Sequence, residues 1–387
     1  MKHTPYIHNI LIFTLLFFSV SFRSSAQDVT SWVNKLYKPQ PDTISILFLG
    51  DIMQHGAQLT AAMTKEGYDY LHCFAPLAPR LQAADLTVAN IETVFAGAPY
   101  SGYPIFSSPD VLVSHLKTSG IQLLLTANNH LCDQGAKGLK RSLDLFDSTG
   151  IQHTGVFRSQ EERTQRYPLM VTRKGIRMAL LNYSYGTNGF PVPHPYVFNH
   201  IDTTKIAEDI MRAKRMQADF IIACMHWGEE YEIKQNARQE SLSAFLKRKG
   251  VDIIIGSHPH VPQGMDVIYN NLKQIQHVVV YSLGNVISNM TLPHTQIGLL
   301  VEVKLVKDGF YKSISSFGYE WIATEQRRDE GGRRYYTLPI NQCSVPSASV
   351  IIQSDTTPLP TLQFRTDTIP SGTIKYTLFE TWKKRSI

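Results

Sequence analysis

The chain has 387 residues, 43% of them hydrophobic and 18% charged, with a formal net charge of +6. That composition builds an ordinary globular core and leaves no disordered bulk. The modest positive excess suits an acidic ligand or an anionic envelope polymer, although an excess this size, spread out, is usually just a solvated surface. No basic tract interleaves with aromatics, which argues against nucleic-acid binding.

Lys2 and His3 precede an apolar run over 10–22, followed by Ser24, Ser25 and Ala26. A basic start, a short apolar run and small residues predict a signal peptide over 1–26, cut before Gln27. The run is short for a membrane span, so the expected destination is outside the cytoplasm, in the periplasm or at the cell surface. Residues 27–43, with Pro39 and Pro41, read as a lead-in. The four cysteines (Cys73, Cys132, Cys224, Cys343) match no zinc or redox spacing. Cys224, inside an apolar run, reads as a small buried hydrophobe.

From there short apolar runs alternate with helical patterns, and nearly every run stops at polar residues. Run 44–49 leads to Asp51 and His55, run 86–89 to Asn90 and Glu92, and run 123–127 to Asn128, Asn129, His130 and Asp133. Run 178–181 leads to the Gly-, Asn- and Pro-rich loop 186–195, a candidate substrate-facing rim. Run 220–225 delivers His226, Trp227, Glu229 and Glu230; run 252–255 delivers His258-Pro259-His260; run 278–281 delivers Asn285. Helical spacing over 109–118, 136–148, 202–217 and 235–249 separates many of these runs. Gly120, Gly150 and Gly250 follow as stop signals. Strands joined by such helices imply crossover connections and a largely parallel sheet. Chemistry in such sheets lies beyond the carboxyl ends of the strands. Pro259 is expected to hold its neighbours in extended backbone and aim both histidine rings at one centre or two adjacent ones.

Asp51 and Glu92 offer carboxylate oxygens, Asn129 an amide oxygen, and His226, His258 and His260 imidazole nitrogens. This mixed set suits manganese, iron or zinc better than calcium or magnesium. It suffices for one or two divalent ions, with Glu92 as the shared ligand. Two ions about 3.5–4 Å apart form a common device for activating water and clamping an anionic ester. His130, next to Asn129, is the candidate general acid, or equally a group that orients a ligand. His55, Asp133, Glu229 and Asn285 are candidates for orienting the ligands or facing substrate, although Asp133 and Glu229 could simply face solvent. Trp227 reads as a packing residue.

Six motifs occur in the order of a known family: Gly50-Asp51-Ile52-Met53, Asn90-Ile91-Glu92, Asn128-Asn129-His130 with Asp133 and Gly135, His226-Trp227-Gly228-Glu229, the stretch 256–263, and Ser282-Leu283-Gly284-Asn285. Over roughly residues 44–340 the chain resembles the CapA family of poly-gamma-glutamate capsule biosynthesis proteins. The resemblance implies a calcineurin-like metallophosphoesterase fold, an α/β sandwich of two mixed sheets flanked by helices. It also implies a place in capsule biosynthesis. The expected substrate is then an anionic envelope polymer, a small phosphoester or a glutamyl compound, with capsule-assembly membrane proteins as partners. Met53 stands where metallophosphoesterases usually carry a histidine, and a thioether is a poor ligand for these ions. The site of Asp51, Glu92 and His260 is therefore expected to be the looser one, unless His55 substitutes. The site of Asn129, His226, His258 and Glu92 is expected to be the tighter. Two functions remain open. One is a metal-dependent hydrolase cleaving a phosphoester or amide; the other is a non-catalytic polymer-binding or assembly component with a degenerate site.

Beyond this region, runs 314–324 and 333–339 predict strands joined by a charged loop over 325–334 that completes a sheet edge. Residues 341–387, rich in Pro, Ser and Thr, read as a loosely attached tail.

Overall fold

The computed structural model describes residues 41–329, 332–343 and 372–376. The expected signal peptide over 1–26 lies outside the described residues, as do most of the lead-in and of the tail. Among the described residues no helix is long and apolar enough to cross a membrane.

Among the described residues, fifteen strands share one hydrogen-bonded sheet. In chain order they are β1 (Asp42–Ile52), β2 (Leu86–Ile91), β3 (Leu123–Leu125), β4 (Gln152–Thr154), β5 (Leu169–Arg173), β6 (Ile176–Ser184), β7 (Phe220–His226), β8 (Ile253–Ser257), β9 (Met265–Tyr269), β10 (Ile275–Val280), β11 (Asn285–Ile287), β12 (Ile297–Asp308), β13 (Tyr311–Asp329), β14 (Gly332–Pro339) and β15 (Gly372–Tyr376). Their order across the sheet is β4-β3-β2-β1-β12-β13-β10-β8-β7-β6-β5, with β11 beside β1, β14 beside β13, and β9 between β10 and β15. Two runs are parallel, β1 to β4 and β6-β7-β8-β10. They meet through β13, which pairs with β10 at Ile275↔Ile314.

The sheet is folded into two layers, and the alternation of side chains shows how. Phe48, Val88 and Leu125 of one run share a core with Leu180, Ile222, Ile255 and Val280 of the other. Their neighbours in sequence face outward. Leu49, Ala89 and Leu124 pack under two helices, α1 (Val111–Thr118) and α2 (Gly135–Thr149), through Leu112, Leu116, Leu143 and Phe146. Leu181, Ala223 and Ile254 pack under α3 (Thr203–Arg215) and α4 (Ala237–Lys249) through Ile206, Ile210, Leu242 and Leu246. This is the expected α/β sandwich of mixed sheets flanked by helices, with the two layers joined as one continuous sheet. The helices end as their sequences dictate. Asp202 and Asn236 cap the N-termini of α3 and α4, while Gly150 and Gly250 adopt left-handed φ of 63° and 96° after α2 and α4.

Several elements depart from expectation. Strand β12 has no counterpart among the expected runs, and it inserts antiparallel between β1 and β13. The described residues of the charged stretch 325–334 are strand rather than loop. They continue β13 and β14, where Glu325 pairs with Tyr336 and Arg327 with Arg334. Within the expected tail, β15 pairs antiparallel with β9. Cys73, Cys132, Cys224 and Cys343 are all free, and Cys224 is buried in the core.

β8 passes tightly against the residue that follows β10. A Cβ on Gly256 would lie 1.9 Å from the carbonyl oxygen of Tyr281 and 2.6 Å from Nε1 of Trp227. That indole donates to the same carbonyl at 2.9 Å, which makes Trp227 the packing residue it was expected to be. Gly256→Ala must therefore displace backbone, and is expected to cost about 3 kcal/mol or more in denaturant unfolding. A cost below about 1 kcal/mol would show that the β8–β10 contact is loose.

Candidate metal centre

Each polar residue at the site is delivered by the end of a buried strand. Asp51 lies near the end of β1, and its backbone N–H donates to Gly284 at 3.0 Å. Glu92 follows β2, its N–H donating to Ile52 at 3.0 Å. After β3 the Asn128 side chain donates to the Ile91 carbonyl (2.7 Å) and accepts from the His130 N–H (3.1 Å), which shapes the turn presenting Asn129 and His130. His226 is the last residue of β7, and His258 and His260 follow β8.

The six expected ligands come together, and all are buried. Donor atoms of Glu92, His226 and His258 lie within 4.8 Å of one another, as do those of Asp51, Glu92 and His260. Glu92 belongs to both groups. Its Oε1 is 3.8 Å from Nε2 of His226 and 3.6 Å from Nε2 of His260. Asn129 Oδ1 stands 2.8 Å from His226 Nε2. Asn285 Oδ1 is 3.1 Å from Nδ1 of His260, and Asp51 Oδ2 is 3.3 Å from the same nitrogen. With Nδ1 engaged this way, Nε2 of His260 is the atom left to face Glu92.

The backbone of the His-Pro-His turn is not extended as expected. His258 has φ 99° and His260 φ 58°. Left-handed backbone is costly for residues with a Cβ, and proline disfavours it further in the residue before it. The surrounding contacts override both preferences, among them the His258 N–H donating to Asp51 Oδ2 at 3.3 Å. Strain of this kind costs about 1–3 kcal/mol per residue and concentrates at functional sites.

The donor set passes a test of fit to a cation. Glu92 Oε1 and His258 Nδ1 are buried with no hydrogen-bond partner. Each such atom costs about 1–3 kcal/mol, and a cation would satisfy both. Electrostatics point the same way. Burial holds His226 well below its ordinary 6.5, with the charge of His258 adding to it. Burial and then the charge of His260 bring His258 to about 3. Both rings are therefore neutral and able to ligate at neutral pH. Burial would raise the Asp51 carboxyl, but the hydrogen bond and charge of His260, then His226 and Asn90, hold it at about 2. Burial and the neighbouring Asp51 charge push Glu92 well above its ordinary 4.5.

A pH dependence follows for the metal-free protein. Burial also takes His55 to about 4. Below about pH 6.5 the unfolded chain protonates these three histidines while the folded chain does not, so stability falls as pH drops from there. Glu92 has the opposite sign, since the folded state retains its proton and stability falls as pH rises above 4.5. Burial raises Asp252 to about 6, with the same sign as Glu92, but it also lowers His115, His153, His200, His277 and His294. The histidines therefore outweigh the two carboxyls, and the metal-free melting temperature should be lower at pH 4.5 than at 6.5. A flat or inverted profile would contradict the neutral state of these rings.

The remaining candidates fall around this cluster. His130 Nδ1 is 2.9 Å from Asp133 Oδ2, and the same oxygen accepts from the Phe106 N–H at 2.9 Å. The Phe106 ring lies edge-on to His130 with centroids 4.7 Å apart. Asp133 thus fixes the imidazole orientation and leaves Nε2 outside this contact. Met53 is buried among Val94, Phe106, Ala127 and Leu131. His55 does not join the donor groups; its Nδ1 is 3.2 Å from Gln58 Oε1 and accepts from the Asn289 N–H at 3.3 Å. Glu229 is exposed and lines a cleft of about 820 Å³ that opens beside His258. The carboxylate in reach of the histidines is its neighbour Glu230, grouped with His258 and His260.

Sequence reasoning missed three contributors. The Asn90 side chain donates to Asp51 Oδ1 (2.7 Å) and Glu92 Oε2 (3.1 Å), fixing both carboxylates. An amide directly after the apolar pair Val88-Ala89 was the available signal. Tyr185, one residue past β6, sets its ring 4.4 Å from that of His258 and nearly parallel to that of His226 at 6.3 Å. Asn188, in the loop read as a rim, accepts from the Asn129 side chain at 3.1 Å.

Known proteins share much of this chain. The pattern of the family described as bacterial capsule synthesis protein PGA_cap matches residues 45–290. The capsule biosynthesis protein CapA of Bacillus anthracis is 27% identical over 299 residues, covering 72% of this chain and 69% of that protein. The PGA biosynthesis protein CapA of Bacillus subtilis (strain 168) is 28% identical over 296 residues, covering 72% and 73%. Among solved structures, the 5'-nucleotidase precursor from Thermus thermophilus aligns with TM-score 0.42 at 14% identity, over 73% of this chain and 54% of that one. The calcineurin-like phosphoesterase YfkN from Bacillus subtilis aligns with TM-score 0.40 at 14% identity, over 81% and 96%.

Proposed function

Because this chain belongs to the bacterial capsule synthesis protein family, we propose that it is an exported metal-dependent hydrolase cleaving a phosphoester or amide in a capsule or cell-envelope polymer. The observation that carries the reading is the pair of buried, unpartnered donors, Glu92 Oε1 and His258 Nδ1, inside a mixed oxygen and nitrogen set. Asn129, His226, His258 and Glu92 would hold one divalent ion, and Asp51, Glu92 and His260 a looser one, with manganese, iron or zinc the best match to the donors. Such an ion, when bound, supplies Lewis-acid polarisation of a phosphoryl or carbonyl oxygen and lowers the pKa of its water to roughly 7.

The chain's own residues do the rest. Asn90 and Asn285 keep Asp51, Glu92 and His260 in place through the contacts given above. Tyr185 covers the rings of His226 and His258 on one side and limits water there. His130, held at Nδ1 by Asp133, presents Nε2 to give a proton to the departing group. An anionic polymer segment, a small phosphoester or a glutamyl compound would enter by the cleft lined by Tyr185 and Tyr231. Capsule-assembly membrane proteins are the proposed partners.

Screening the protein loaded with manganese, iron or zinc against phosphoesters and glutamyl peptides tests this reading. Turnover that is lost on chelation and restored by the ion supports it. A protein that binds polymer but takes up no ion and turns over nothing would instead be an assembly component.

A further inference from the structure

Three carboxylates flank the His258–His260 pair, and two of them, Asp51 and Glu92, are accounted for by the site as described. Glu92 is fully buried. Glu230 is exposed, yet a donor oxygen of its carboxylate lies within 4.8 Å of donor nitrogens on both His258 and His260. These two histidines come from different buried groups, so Glu230 reaches both halves of the centre from the solvent side.

We propose that Glu230 is an additional, displaceable ligand at the mouth of this centre, holding the place that the anionic group of a substrate must take. The proposal rests on the metal reading above and deepens it.

Three observations carry it. First, the loop is anchored to the turn it serves: the Tyr231 N–H donates to the carbonyl of Pro259, between the two histidines, at 2.8 Å. Tyr231 takes a left-handed φ of 69° to do so, and its ring sits 6.2 Å from that of His260. Second, His258, only 3% exposed and with Nδ1 unpartnered, lines the same cleft as Glu230. Third, the group of Asp51, Glu92 and His260 has a single nitrogen, and Met53 is packed among apolar side chains. An ion there gains most from one further oxygen. Glu230 is suited to yield, because it stands on an exposed segment rather than in a buried strand. A phosphoryl or carboxylate oxygen is the same kind of hard anionic donor and competes for the same position.

The test uses the cobalt-loaded full chain, with inorganic phosphate as the probe. In Glu230→Gln, phosphate should bind about tenfold more tightly, the gain expected if Glu230 occupies the position about nine-tenths of the time. The weaker ion should be lost about tenfold more readily on chelation, the low end of what supporting ligands contribute. The visible absorption of bound cobalt should differ between wild type and variant before phosphate and converge after it. Glu232→Gln, which removes an exposed charge lining the same cleft, should leave all three readouts at wild-type values. Identical spectra and phosphate affinities in wild type and Glu230→Gln would overturn the proposal while leaving the metal centre intact, as would equal shifts in both variants. Failure of the wild type to bind cobalt would overturn the metal reading itself, and this inference with it.

Discussion

Replacing His258 should abolish metal-dependent turnover without unfolding the protein. His258 contributes to two of the three donor groups, so His258→Ala removes a nitrogen from both. The charge stabilisation an ion supplies is worth several kcal/mol, and each 1.36 kcal/mol is tenfold in rate. A loss of about 10³-fold or more is expected, together with the loss of any rise in melting temperature on adding the ion. The metal-free protein should behave differently. Its φ of 99° and its unpartnered buried Nδ1 both count against histidine at this position. His258→Gly relieves both, at a cost of about 0.5–1 kcal/mol in chain flexibility. Metal-free His258→Gly should therefore unfold at no lower denaturant concentration than metal-free wild type. A destabilisation of about 2 kcal/mol or more, on the order of a core truncation, would make His258 a packing residue.

The second large effect concerns His130. His130→Asn should leave metal retention intact while cutting turnover by about 10²–10⁴, the usual contribution of a general acid. The loss should be greatest for substrates with poor leaving groups, which need the proton most. Asp133→Asn, which keeps the imidazole but removes the charged acceptor 2.9 Å from Nδ1, should cause a smaller loss of the same pattern. If His130→Asn strips the metal, the residue is a ligand or a support for one. If no substrate responds, the acid role is wrong.

The strands that deliver the candidate ligands were legible because buried parallel strands read as unbroken apolar runs. The point where a run stops is where its polar residue emerges, as at Cys224-Met225-His226 and Ile255-Gly256-Ser257-His258. The long-range partners of those strands were not legible. β12 pairs with β1 across more than two hundred residues of sequence, and nothing local to either segment announces the other. The turn at His258 and His260 misled for a different reason. Proline sets a local preference for extended neighbours, whereas the conformation is fixed by contacts to β1 and to the loop at Tyr231. Glu229 and Glu230 differ by one position past a strand end, where the alternation of faces no longer holds, so spacing could not choose between them. Asn90 was in plain view within a motif, but its role as a clamp on two carboxylates needed the register of β1 against β2.

The central claim is that these buried donors form a centre of one tighter and one looser divalent ion. Its most direct test is the number of ions per chain left after loading with manganese, iron or zinc and mild chelation, in wild type and in His226→Ala. Wild type should keep one ion and lose a second, and His226→Ala should lose the one that wild type keeps. An absence of bound ion, two ions held with equal strength, or retention indifferent to His226→Ala would contradict it.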